Sequence, residues 1–215
     1  MVNILITALL RGGMYSLMAV GLSLVYGVMN VANFAHGEQY MLGTYFGFFW
    51  FMGLGLNPFL CFILALGGGF FIGALTEVVI FSPLRKRSGR NWLMNTFLLT
   101  LGLSMILKSG TKLLFGNSYR GITSYFKGTV SLAGFSASKD RVIAFVIAVV
   151  VIAVVMVFLN KSKFGRAIRA VSMDATGAQL VGIKLKRIYI VTFGLSCGFA
   201  ALAGAALLSL TPAYP

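Results

Sequence analysis

Six stretches, at about 12–31, 34–53, 58–81, 92–115, 141–160 and 188–210, are each close to 20 residues of nearly unbroken apolar sequence. A helix rising about 1.5 Å per residue needs roughly 20 such residues to cross the hydrocarbon of a bilayer. Backbone amides find no water there, so only helices or a closed barrel can span it, and runs without period-two alternation select helices. Only 10% of the chain is charged and 59% is hydrophobic, too little charge to clothe a soluble domain. The expected fold is an all-α polytopic membrane protein, one transmembrane domain over 1–215 with about six transmembrane helices.

The net charge is +14, yet the cations sit in short clusters between apolar runs. That is the pattern of loops beside anionic lipid, and it excludes a nucleic-acid-binding protein. Arg85, Lys86, Arg87 and Arg90 follow the third run, and Lys161, Lys163, Arg166, Arg169, Lys184, Lys186 and Arg187 follow the fifth. Both groups fall on one side, which the positive-inside rule makes cytoplasmic. The 116–140 loop and both chain ends are then external, with Arg120, Lys127 and Lys139 weakening the asymmetry without reversing it. Residues 1–10 lack a positive start and a small-residue cleavage site, so no cleaved leader is expected. Arg11 should snorkel to the outer interface, with residues 1–10 lying along it or adding a helical turn.

Glycines recur four apart: Gly43 with Gly47, Gly69 with Gly73, Gly194 with Gly198, and Ala200 with Gly204. Small residues at this spacing let membrane helices approach closely. Cys61 and Cys197 lie inside apolar runs and read as small hydrophobes. One histidine and four carboxylates offer no metal-ligand cluster, and no metal or other cofactor is expected.

The polar string Asn33-Phe34-Ala35-His36-Gly37-Glu38 lies where the first two runs almost meet. Two readings stand side by side. It is a break or re-entrant bend facing a translocation pathway, with Asn33, His36 and Glu38 as candidate pathway residues, since irregular polar backbone at membrane depth must line a cavity or be buried. Alternatively it is a tight interfacial turn capping the next helix. His36 and Glu38, two apart, face different sides of a helix, and no nucleophile accompanies them, which argues against catalysis. Without a Gly-rich phosphate loop followed by Lys-Ser/Thr, the chain is not expected to hydrolyse ATP. Glu77, about two turns before Arg85, is read as half of a structural salt bridge.

Residues 161–187 form a basic, amphipathic insert between apolar runs. A helical start at Phe164–Ala170 is followed by a turn near Asp174. A second short helix carries Ala178 and Gly182, then Ile183 and Leu185. Small residues that seat deeply and exposed apolar ones suit helix-in-groove docking on a partner; a solvated, lipid-binding loop explains the same residues equally well.

Three stretches together resemble a known family. Gly13-Met14-Tyr15-Ser16-Leu17-Met18-Ala19-Val20-Gly21-Leu22 runs on through Tyr26-Gly27 to Asn33–Glu38. Pro83-Leu84-Arg85 follows the third run. Phe164-Gly165-Arg166-Ala167-Ile168-Arg169-Ala170 continues to Ala178, Gly182 and the Ala200–Gly204 region. These resemble the membrane permease subunits of branched-chain amino-acid ABC importers. The resemblance implies a permease without its own ATPase site, working in the inner (plasma) membrane with separate ATP-binding subunits, a second permease subunit and a periplasmic or extracellular substrate-binding protein. It turns the 161–187 segment toward coupling, through Gly165, Arg166, Arg169, Ala178 and Gly182. Thr176 and Gly177 replace the Glu-Ala of the broader importer signature, so Asp174 is added as a coupling candidate. Such subunits usually carry further spans after the sixth, so the final spans are expected to be missing from this chain. The competing expectation is a stand-alone channel or proton-coupled secondary transporter for urea or an amide, with His36 and Glu38 relaying protons.

Overall fold

A computed structural model describes residues 2–87, 89, 92–132 and 135–214. The chain is helical almost throughout. Helix α1 covers Val2–Met29, so residues 2–10 simply extend the first span. Helix α2 covers His36–Phe48 and widens into a π-helical turn over Phe49–Gly53. Helix α3 spans Pro58–Thr76; it starts sharply because Pro58 occupies its first position while the Asn57 side chain accepts from the Phe59 amide at 3.0 Å. A second π-helical turn, Glu77–Phe81, carries α3 into the short α4, Ser82–Arg87. Then come α5 (Trp92–Phe115) and an antiparallel hairpin, β1 (Thr129–Leu132) with β2 (Phe135–Ser138), paired Thr129↔Ser138 through Leu132↔Phe135. Helices α6 (Lys139–Lys161), α7 (Lys163–Met173), α8 (Ala175–Leu180) and α9 (Leu185–Leu207) complete the order.

Among the described residues, five helices are long and apolar enough to cross a membrane: Ile6–Met29, Pro58–Arg87, Trp92–Phe115, Lys139–Lys161 and Leu185–Leu207. The sixth expected segment, 34–53, is helical from His36 onward but shorter. It buries His36, Glu38 and Gln39 inside the protein.

Helix α9 is the axle of the bundle. The most apolar window of α9 is 83% buried, against 17% for α5 and α6, so those two face outward and α9 does not. Its sequence explains this: Gly194, Ser196, Cys197, Gly198, Ala200, Ala201 and Ala203–Ala206 give it almost no side-chain girth. The four-apart glycines predicted to pack do so around it. A Cβ on Gly43 would run into the Ala201 backbone, and one on Gly204 into the Tyr40 carbonyl. Gly69 and Gly73 press on Cys197, while Gly194 and Gly198 press on Phe70 and Leu66. Helix α2 therefore runs alongside α9 in the same direction and α3 runs against it.

Packing divides into two ends. At the basic end, Val25, Val28 and Met29 of α1 meet Phe81, Ile168, Val171, Ala178, Ile188 and Phe193. At the opposite end the 116–138 segment folds over the helices. The Asp140 carboxylate, in the first turn of α6, accepts from the amides of Tyr125 (3.0 Å) and Phe126 (2.8 Å), and the Tyr125 hydroxyl donates to the Ala205 carbonyl at 2.9 Å. Burial pushes the Tyr125 phenol well above the usual tyrosine range. The 208–214 tail joins this layer through backbone pairing of Arg120 with Ala213. Arg90 of the basic loop lies outside the described residues.

Candidate functional site

At the Asn33–Glu38 string the chain folds back alongside α1. The His36 Nε2 donates to the carbonyl of Met18 at 3.0 Å, near the middle of α1. A Cβ on Gly21 would touch both the His36 ring and Ser196, near the middle of α9. Past Met18, α1 continues to Met29, about 16 Å at a helical rise. Residues 30–35 bring the chain back along α1 before α2 begins, ending in a turn closed by the His36 amide on the Asn33 carbonyl. Asn30, with φ +52°, turns the chain; asparagine tolerates this left-handed region better than other side chains. Asn33 Oδ1 accepts from the Ala35 amide at 3.1 Å, and its Nδ2 donates to Gln39 Oε1 at 3.4 Å, which fixes the turn ahead of α2 while no side chain caps the helix itself. The segment thus starts α2 deep within the bundle.

Beside this bend a groove of about 590 Å³ runs between α1 and the returning chain, lined by Met18, Leu22, Tyr26, Asn33, Phe34 and His36. On the far side of α2, Glu38 Oε1 lies 3.3 Å from Lys108 Nζ of α5. Lys108 was not among the residues predicted from sequence; its signal was a cation within the apolar run 92–115.

Glu77 is fully buried at the start of its π-helical turn, and its Oε1 pairs with Arg85 Nη1 at 2.9 Å. The Arg85 guanidinium lies over the rings of Tyr189 (4.1 Å) and Trp92 (5.0 Å), tying α4 to α9 and α5. The expected salt bridge is therefore present.

The 161–187 element has a sharper construction than its sequence suggested. Ser162 caps α7, its Oγ accepting from the Gly165 amide at 2.8 Å. Gly165 packs directly on the Phe158 and Leu159 backbone, where a side chain would not fit. Arg169 donates to the Leu159 carbonyl and to Asn160 Oδ1 (3.0 Å), and Arg166 to the Lys161 carbonyl (3.3 Å). Both arginines thus close the C-terminus of α6 with exposed guanidinium groups. Asp174 caps α8 through the Thr176 amide at 2.9 Å, and Gly182 ends it at φ +87°.

Ala178 is 5% exposed and seats α8 on this chain's own core. Ile183 and Leu185, expected to be exposed, are also packed against that core. The apolar residues that α7 and α8 present outward are Met173, Leu180 and Val181, at 88%, 85% and 78% exposure.

Residues 4–215 match the family described as branched-chain amino acid transport system / permease component. The chain is 30% identical to the high-affinity branched-chain amino acid transport system permease protein BraD of Pseudomonas aeruginosa, over 94% of this chain and 69% of that protein. It is 30% identical to the corresponding protein LivH of Escherichia coli K12, over 91% of this chain and 67% of that protein. A probable branched-chain amino acid transport permease protein LivH of Methanocaldococcus jannaschii is 29% identical over 93% and 64%. The chain thus spans about two thirds of the length of these relatives. No solved structure gives a significant match. With membrane-spanning helices around a glycine- and alanine-lined axle, and sequence kinship along nearly its whole length, this chain belongs to the branched-chain amino acid transport system permease family.

Proposed function

We propose that this permease carries branched-chain amino acids inward as one of two membrane subunits of an ABC importer. Separate ATP-binding subunits dock on α7 and α8, and an external substrate-binding protein delivers the cargo at the opposite end. The basic end is cytoplasmic and the N-terminus external, in keeping with the charge asymmetry of the loops. The chain contributes no nucleotide site; it converts movement of the docked subunits into movement of its helices. The re-entrant bend, with Asn33, His36 and Glu38, lines the pathway.

One observation carries the docking part. Helix α8 has its inner face seated on the core through Ala178 while Leu180 and Val181 stand almost fully exposed beside it. Exposed apolar residues on a short, well-anchored helix, surrounded by arginines and lysines, suit a protein partner better than water.

The test is bifunctional crosslinking from Leu180→Cys in membranes containing the cognate ATP-binding subunit. The native thiols do not compete, since Cys61 and Cys197 are buried. A specific crosslink whose yield changes with ATP is expected. A stably inserted chain that gives no crosslink from either Leu180→Cys or Val181→Cys refutes docking at this element.

A further inference from the structure

The Glu38–Lys108 pair is unfinished as a salt bridge. Glu38 is 6% exposed, and only Oε1 has a partner; Oε2 is buried without one. The 3.3 Å separation from Lys108 Nζ exceeds that of a tight charge-assisted bond. The Lys108 side chain is 56% exposed although its helix is a candidate span. An ionisable residue inside such a helix is costly and is retained where it meets a charge or a substrate.

Beside this pair, and lined in part by both side chains, lies a cavity of about 220 Å³, bounded also by Tyr40, Met41, Thr44 and Ala213. Its volume suits one small organic molecule, not a peptide. Its walls offer a carboxylate, an ammonium and an apolar surface, the complement of an amino-acid zwitterion with an apolar side chain.

We propose that Glu38 and Lys108 form a clamp for the amino-acid backbone. Lys108 swings on its flexible stem to hold the α-carboxylate, the Glu38 carboxylate it leaves receives the α-ammonium, and the aliphatic side chain lies against Met41. Four charges of alternating sign then leave no ion unpaired, and the site stays neutral overall. The assignment rests on the amino-acid cargo proposed above and adds to it the groups that read the cargo.

The test uses the assembled importer in proteoliposomes. Gly37 borders the cavity, and a Cβ there meets nothing within 4 Å, so Gly37→Cys is a tolerated reporter. L-leucine is expected to slow its labelling by a thiol reagent at least threefold. L-leucinamide, lacking the carboxylate, and 4-methylpentanoate, lacking the ammonium, should leave the rate unchanged. Equal protection by either analogue overturns the clamp. In parallel, Lys108→Met should lower uptake of subsaturating leucine at least tenfold while the Leu180 crosslink persists, and the exchanged pair Glu38→Lys/Lys108→Glu should fail to restore it. Restoration by the exchanged pair identifies a purely structural bridge and overturns the proposal. A wild-type complex that carries urea but no leucine overturns the cargo reading and the clamp together; intact leucine uptake in Lys108→Met overturns the clamp alone.

Discussion

Removing Arg85 tests the packing at the basic end most directly. Glu77 is 0% exposed and its ion-pair partner is Arg85, whereas the Arg85 side chain is 27% exposed. Arg85→Met therefore strands a carboxylate with no route to water, while Glu77→Gln keeps an amide oxygen that can still accept from a partly exposed arginine side chain. Breaking a buried pair from one side costs about 3–5 kcal/mol, and partial exposure of Arg85 places this pair near the lower figure. Loss of the contacts over Tyr189 and Trp92 adds about 1 kcal/mol, for a total of about 4 kcal/mol. Glu77→Gln should cost about 1–2 kcal/mol, the price of a weakened hydrogen bond. The double variant should be more stable than Arg85→Met alone, with a coupling of about 2 kcal/mol. Unfolding of the purified protein in mixed micelles by SDS titration measures all three. Equal costs for the two single variants, adding without coupling in the double, would refute the claim that asymmetric burial governs this site.

Two further predictions concern the axle and the outer layer. Gly204→Val places a branched side chain where Tyr40 and Thr44 already sit, and overpacking of this kind costs about 1–3 kcal/mol or more; size-exclusion profiles should show loss of the folded species. Gly102→Ala on α5, where a Cβ meets nothing within 4 Å, should leave the same profile intact. Asp140→Ala removes the acceptor for two backbone amides, worth about 1.5–3 kcal/mol each for bonds to a charged group. Limited proteolysis should then cut the 116–128 segment faster while the transmembrane core stays protected.

Much of this architecture was readable in the amino acids. Apolar runs located the helices, because backbone amides leave a bilayer-spanning segment little choice of conformation. The string from Gly194 to Ala206 announced close packing, since a helix without side-chain girth contributes little in contact with lipid. The depth of α2 was not legible. Hydropathy says that 34–53 prefers to be buried, but the starting level of α2 depends on the long-range contact of His36 with Met18. Lys108 gave only the signal of a lone cation in an apolar run, and its meaning needs Glu38, seventy residues away in sequence. The roles of Arg166 and Arg169 depend on the elbow at Ser162–Gly165, which folds α7 back over the last carbonyls of α6. Ala178 illustrates a general ambiguity: a small residue on an amphipathic helix marks a close approach without saying to which body.

The glycine and alanine faces of α9 also have a mechanical consequence. Long side chains between helices behave as springs, since a rotamer change can absorb an ångström of sliding. Where Gly43 meets Ala201 and Gly204 meets Tyr40, backbone lies on backbone, and nothing there can yield. The first turns of the same helix place Ile188 and Tyr189 in the cluster that seats α7 and α8. A tilt given to that end travels along a stiff shaft to α2, with little compliance in which to lose the stroke.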